Sequence, residues 1–163
     1  MQSFLRNATP IYGIRGLRFP EAYSVLQPSC FVVGSYPKTS KTGGMDALTS
    51  MGNEIIIPLL EKYRKRGSIL FEGVIISDTY GAVGEWLEQH MAETVVAFLS
   101  TPLEECLASL DLRGSEMREK TIMNTAARYA AIERVKRRMI ERGFRVETLD
   151  RATAAERIAG WLS

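Results

Sequence analysis

Histidine occurs once in the 163 residues, at position 90, and cysteine twice, at 30 and 106. Those scarcities remove several chemistries at the outset. A Ser-His-carboxylate relay needs its histidine beside a nucleophile, whereas His90 follows the polar pair Glu88-Gln89 and reads as a helix surface or end. A zinc site needs three or four Cys or His at ligand spacing, which this chain does not have, and no other metal site is expected. Cys30, in Ser-Cys-Phe-Val-Val, and Cys106, in Glu-Glu-Cys-Leu-Ala, read as small buried thiols. No apolar run approaches the roughly 20 residues of a membrane span, and Met1 is followed by a short polar mixture and not by a signal peptide. A cytoplasmic protein without a membrane partner is the expectation. Net charge is scarce too: 21 Lys and Arg against 19 Asp and Glu give +2, so affinity for phosphate or nucleic acid has to come from local clustering. Clustering exists between Arg113 and Arg142, with nine basic residues against four Glu.

What the chain does have is an apolar content of 45%, enough for one domain with a real core and too little length for two. The run at residues 69–77, Ile-Leu-Phe-Glu-Gly-Val-Ile-Ile-Ser, reads as a strand covered on both faces. It carries one carboxylate, Glu72, near its carboxyl end, where ligands bind in open α/β sheets. A structural Glu capping a neighbouring turn is the plain alternative. Residues 1–7 look like the tail of a helix, and residues 11–26 like short extended pieces broken by Gly13, Gly16 and Pro20. Residues 30–34 read as a short buried strand ending in Gly34. A Gly, Ser, Thr and Lys loop at 35–46 then feeds a helix through Ile55, Ile56, Leu59, Leu60 and Tyr63, with a kink or break expected at Pro58. Further helices are expected over residues 80–91, from Thr101-Pro102 to about Arg113, and from about Thr121 to Arg142. A last one should open on a Thr153/Glu156 capping box. Strands are expected at 95–99 and 144–150. Strands alternating with helices at this rhythm predict an α/β fold with a three-layer parallel sheet, helices on both faces and right-handed crossovers.

Three sets of residues invite chemistry. Residues 34–42 run from a strand and a glycine to Lys41-Thr42, but a Walker A loop needs four residues between its glycines and then Lys-Ser/Thr. Here Lys41 lies seven after Gly34, and Gly43-Gly44 follow it, so a substrate-side loop is the better reading. Asp46 after those glycines is a helix N-cap or a substrate ligand. Arg113, Arg118 and Lys120 lie on a polar segment between helices, where a mobile lid at about 111–124 would bring guanidinium groups across a transferring phosphoryl group. For Arg134, Lys136, Arg137 and Arg138 a solvated helix face is preferred.

Taken in order, Gly34-Ser35-Tyr36, Gly43-Gly44-Met45-Asp46, Phe71-Glu72-Gly73-Val74-Ile75, Thr101-Pro102-Leu103-Glu104-x-Cys106, Arg113 and Asn124-Thr125-x-x-Arg128-Tyr129 resemble a family. The chain looks like the phage-type P-loop kinases of the thymidylate-kinase-like group, which include the 5-hydroxymethyluridine DNA kinases of thymidine hypermodification. The resemblance covers nearly everything from Ile11 onward. It implies a single kinase-like domain that moves the γ-phosphoryl of ATP, with Mg2+, to a hydroxyl on DNA carrying a modified pyrimidine. Glu72 would be the base, Gly34, Tyr36, Gly43, Gly44 and Asp46 the substrate side, and Arg113 and Arg118 the lid. Asn124 and Arg128 match motif positions without a derivable role. Members of the group begin with a strand and a Walker A loop, and here residues 1–7 align with the helix that follows that loop. The expectation is therefore a P-loop-like sheet whose first strand and phosphate loop are missing, through a late start codon or a truncated paralogue. A nucleoside or nucleotide kinase remains open, as does a non-catalytic nucleic-acid or partner-binding module on the same scaffold.

Overall fold

In the computed structural model, residues 2–14, 17–36, 44–48, 53–73, 81–112 and 119–163 are described. One helical turn, α1 (Gln2–Leu5), buries Phe4 against Val25, Cys30 and Val32. Strands β1 (Thr9–Ile11), β2 (Ala22–Val25) and β3 (Cys30–Val33) follow as an antiparallel meander. Pro10 is tolerated within β1 because that strand lies at the end of its sheet, where one amide can go unpaired. Next come a 3-10 turn, Met45–Ala47, helix α2 (Asn53–Arg64) and strand β4 (Ile69–Leu70), which pairs with β3 in parallel.

The second half holds α3 (Gly81–Gln89), a 3-10 turn at Met91–Glu93, β5 (Val95–Leu99), α4 (Leu103–Leu112), α5 (Glu119–Glu141), β6 (Arg145–Leu149) and α6 (Ala154–Trp161). Strands β5 and β6 pair in parallel over five residues. Helix α5 turns Val135 and Met139 inward and stops at Gly143, whose φ of 90° only glycine adopts readily. Helix α2 buries Ile56, Leu59, Leu60 and Tyr63, an i, i+3, i+4, i+7 stripe. One cluster joins that stripe to Ala22 and Val33 of the first sheet, to Val83, Trp86 and Leu87 of α3, and to Phe98 of β5. Both sheets therefore rest on the same core. The outer face of β5 is unusually bare, with Ala97 exposed and Leu99 55% exposed. Among the described residues no helix is long and apolar enough to cross a membrane.

The α/β class stands, but the described strands do not form one parallel sheet. They form a mixed four-stranded sheet and a separate two-stranded parallel one. The reason is connection length. Residues 12–21 and 26–29 are too short for the crossovers that parallel neighbours need, so β1, β2 and β3 fold back on each other. The strand expected at 69–77 is also shorter: only Ile69–Leu70 lies in the ladder, both half-buried, and Glu72 lies beyond it. Residues 74–77 of that run are outside the described part. Pro58 does not divide α2, which is continuous across it and forgoes one amide hydrogen bond. Thr153 is not a capping box, because its side chain makes no cap bond. Asp150 opens α6 instead, its Oδ1 accepting from the Ala152 amide and its carbonyl from the Ala154 amide. Cys106 is half-buried, not buried like Cys30, since α4 presents no buried residue.

Helices α2 and α3 are tied by one carboxylate. Glu61 Oε1 accepts from Trp86 Nε1 at 2.7 Å and contacts His90 Nε2 at 2.9 Å, while Oε2 faces Arg64 at 3.5 Å. The Trp86 hydrogen bond, then those of His90 and Arg64, hold the Glu61 carboxyl below its ordinary range. A depressed carboxylate stabilises the fold above its unfolded pKa and loses that contribution as pH falls through the folded one. Glu61→Ala is expected to lower the melting temperature at pH 7, with the difference from the parent shrinking toward pH 3, as followed by circular dichroism.

Candidate functional site

The site begins where β3 ends. Gly34 takes a φ of 129°, and a Cβ there would lie 2.6 Å from the carbonyl carbon of Gly44, so a side chain fits neither the conformation nor the space. That close approach lets Ser35 and Gly44 exchange two backbone hydrogen bonds, the Ser35 amide to the Gly44 carbonyl at 3.0 Å and the Gly44 amide to the Ser35 carbonyl at 2.7 Å. Gly44 itself has a φ of 72°, and a Cβ on it would meet the Glu72 carbonyl oxygen at 2.6 Å. The next amide, of Met45, donates to that carbonyl at 2.9 Å. Three segments distant in sequence are thus joined through main chain, and they carry Tyr36, Asp46 and Glu72.

This pairing also explains why Glu72 leaves the ladder. After Leu70 its carbonyl turns toward the Met45 amide instead of continuing beside β3. Much of the Glu72 side chain is exposed, yet desolvation around its carboxyl end raises its pKa above the ordinary range, and the charge of Asp46 adds to the rise. The Tyr36 phenol is driven up far more strongly, by burial first and then by Glu72, Tyr23 and Asp46. It therefore remains a neutral O–H donor at any physiological pH. Its oxygen is buried without a hydrogen-bond partner, as is Ser35 Oγ. Buried polar atoms normally have partners, so two orphans side by side in sequence single this segment out as a candidate site. The Tyr36 amide is held by the Tyr23 hydroxyl at 3.3 Å, and the two rings meet edge to face with centroids 5.8 Å apart.

Of the residues expected at the site, Gly34, Tyr36, Gly44, Asp46 and Glu72 come together. Gly43, Arg113 and Arg118 lie outside the described residues. Lys120 is exposed in the first turn of α5, and the described parts of the 111–124 segment are helical at both ends. Arg134, Arg137 and Arg138 are exposed on α5, as a solvated face requires, whereas Lys136 is half-buried with its ammonium 5.9 Å from the centre of the Phe98 ring. Tyr23 and Ser35 were not among the expected site residues. Ser35 stands in the sequence only as the middle of Gly34-Ser35-Tyr36, and Tyr23 becomes a neighbour of Tyr36 through the β2–β3 register.

A raised carboxylate has a thermodynamic signature. The folded state holds its proton more tightly than the unfolded one, so the fold loses stability as pH rises from the unfolded pKa through the folded value. Above that window the ionised form carries the whole penalty. Glu72→Gln is expected to raise the melting temperature at pH 7 and to leave it unchanged at pH 3, by differential scanning fluorimetry across that range.

No protein-family model matches the chain, and no solved structure is significantly similar to it. The chain is similar to the 5-hmdU DNA kinase of Pseudomonas phage M6, 29% identical over 133 residues that cover 78% of this chain and 69% of that protein. By that similarity the chain has a kinase-like relationship to a phage DNA kinase.

Proposed function

We propose that this chain forms the acceptor side of an ATP-dependent phosphotransferase of the thymidylate-kinase-like P-loop type, acting on the 5-hydroxymethyl group of deoxyuridine in DNA. The observation that carries the reading is the similarity to a DNA kinase over 78% of the chain. Glu72 takes the proton of the acceptor hydroxyl, a role favoured by a carboxyl pKa raised toward neutrality. The neutral Tyr36 hydroxyl donates to an acceptor oxygen and positions it. Gly34 and Gly44, having no Cβ, let the segments of this substrate side close on one another. Asp46 and Gly43 complete the substrate side, and Arg113 and Arg118 belong to a lid that neutralises phosphoryl charge.

The group implied by this chemistry is Mg2+-ATP. Mg2+ takes one or two carboxylates together with phosphate oxygens. Among the described residues there is no group of three or more His, Cys, Asp or Glu to hold a metal by themselves. The triphosphate is a different matter. Its cradle requires G-x-x-x-x-G-K-S/T, which occurs nowhere in the sequence, so the residues present do not fit ATP. We assign those contacts to a strand and phosphate loop that these 163 residues do not contain. A free nucleoside or nucleotide as acceptor would use the same Glu72. The missing cradle favours one further reading, a non-catalytic nucleic-acid-binding module using the exposed Arg134, Arg137 and Arg138.

The chain as given is expected to show no saturable ATP binding in the presence of Mg2+ by isothermal titration calorimetry. Tight, Mg2+-dependent binding would make residues 34–42 a divergent phosphate loop and overturn the assignment. In a form carrying the phosphate loop, transfer of label from γ-labelled ATP to DNA containing 5-hydroxymethyluracil should fall by about two to four orders of magnitude in Glu72→Gln, with ATP affinity nearly unchanged. Arg113→Ala should slow transfer and weaken ATP binding together, because a lid arginine touches phosphate in both ground and transition states. Undiminished turnover by Glu72→Gln would make the carboxylate structural, and transfer to the free nucleoside but not to DNA would select the nucleoside-kinase alternative.

A further inference from the structure

The Glu21 carbonyl accepts from the Gly34 amide at 2.9 Å, but its side chain plays no part in the site above. Its side chain is 1% exposed, and Oε1 takes both of its hydrogen bonds, from the Tyr63 hydroxyl at 2.7 Å and from the Lys62 ammonium. Oε2 is buried without a partner. The backbone at Gly13 presses on this carboxylate so closely that a Cβ there would lie 2.7 Å from Oε1 and 2.8 Å from Oε2. A buried carboxylate oxygen with no donor is destabilising, and the fold keeps it beside a cavity.

That cavity, of about 290 Å3, lies between the β1–β2 connection and one face of α2, and Glu21 lines it. Its walls are apolar, with Ile14 on one side and Ile55, Pro58 and Leu59 on the other. Glu54 and Lys62 also line it, so two carboxylates stand against one ammonium that is already engaged at Oε1. A phosphate or carboxylate ligand would face those two negative charges. A neutral apolar ligand would leave Oε2 unpaired. A cation with N–H donors and a short aliphatic stem answers both the charge and the walls. At ~30 Å3 of liquid volume per water-sized group, the space suits a free ion of about ten heavy atoms or fewer.

We propose that this pocket binds a small organic ammonium or guanidinium ion whose stem lies on Ile14, Ile55 and Leu59 and whose N–H group donates to Glu21 Oε2. The site is independent of the kinase reading, since none of its residues belongs to the cluster around Glu72.

The test is a titration of the full chain with n-butylammonium chloride, followed by methyl NMR of Ile14, Ile55 and Leu59, with n-butanol as the uncharged control. Saturable shifts with butylammonium are expected, with binding at least about ten-fold tighter than butanol's, the usual scale of a charge-assisted hydrogen bond. Glu54→Gln, on an exposed side chain, should weaken butylammonium several-fold without touching butanol. Glu21→Gln should abolish the preference for the cation. Should Glu21→Gln fail to fold, the Glu54→Gln and butanol comparisons decide alone. Equal affinity for the two probes, or shifts that never saturate, would overturn the proposal.

Discussion

Everything at the candidate site depends on the paired hydrogen bonds between Ser35 and Gly44 and on the bond from the Met45 amide to the Glu72 carbonyl. Each is worth only about 0.5–1.5 kcal/mol net. Together they make neighbours of positions 35, 45 and 72. Two glycines make the arrangement possible, since at both 34 and 44 a Cβ would stand 2.6 Å from main-chain atoms of the partner segment. Main chain thus supplies the frame on which Tyr36, Asp46 and Glu72 are carried.

Three glutamates show how environment assigns roles to one side chain. Glu61 is surrounded by donors from Trp86, His90 and Arg64, which favour its ionised form and make it a tie between helices. Glu72 is desolvated at its carboxyl end and stands near the Asp46 carboxylate, so its ionised form is disfavoured and its basicity raised. Glu21 is engaged at one oxygen and orphaned at the other. Beside Glu72 the Tyr36 phenol is kept neutral, so the same cluster offers a proton acceptor and a hydrogen-bond donor that do not exchange roles with pH.

The helices were legible because their signals are local. The stripe Ile56, Leu59, Leu60 and Tyr63 and the stop at Gly143 need no knowledge of the rest of the fold. Glu72 stood out as a carboxylate in an apolar run, and Gly34 and Gly44 as punctuation around a polar loop. What was not legible is pairing. Whether residues 69–77 stay in the ladder depends on where the Glu72 carbonyl finds its donor, and that donor is 27 positions away at Met45. Glu21 escaped notice for the same reason: beside Pro20 it reads as an ordinary turn residue, and only the approach of α2 buries it. Thr153 misled in the opposite direction, since its capping pattern is present in sequence while Asp150, three residues earlier, takes the amides.

The bare face of β5 has a kinetic consequence. Its parallel partner β6 lies about fifty residues later, so Val95-Val96-Ala97-Phe98-Leu99 emerges from the ribosome well before β6 can pair with it. A five-residue apolar, β-prone segment without charge is a template for other nascent chains. Even after β6 docks, Ala97 and Leu99 stay exposed. Yield of native protein from cells should therefore be governed by how fast that strand is covered relative to how often chains collide, and slower synthesis at lower temperature works in favour of folding.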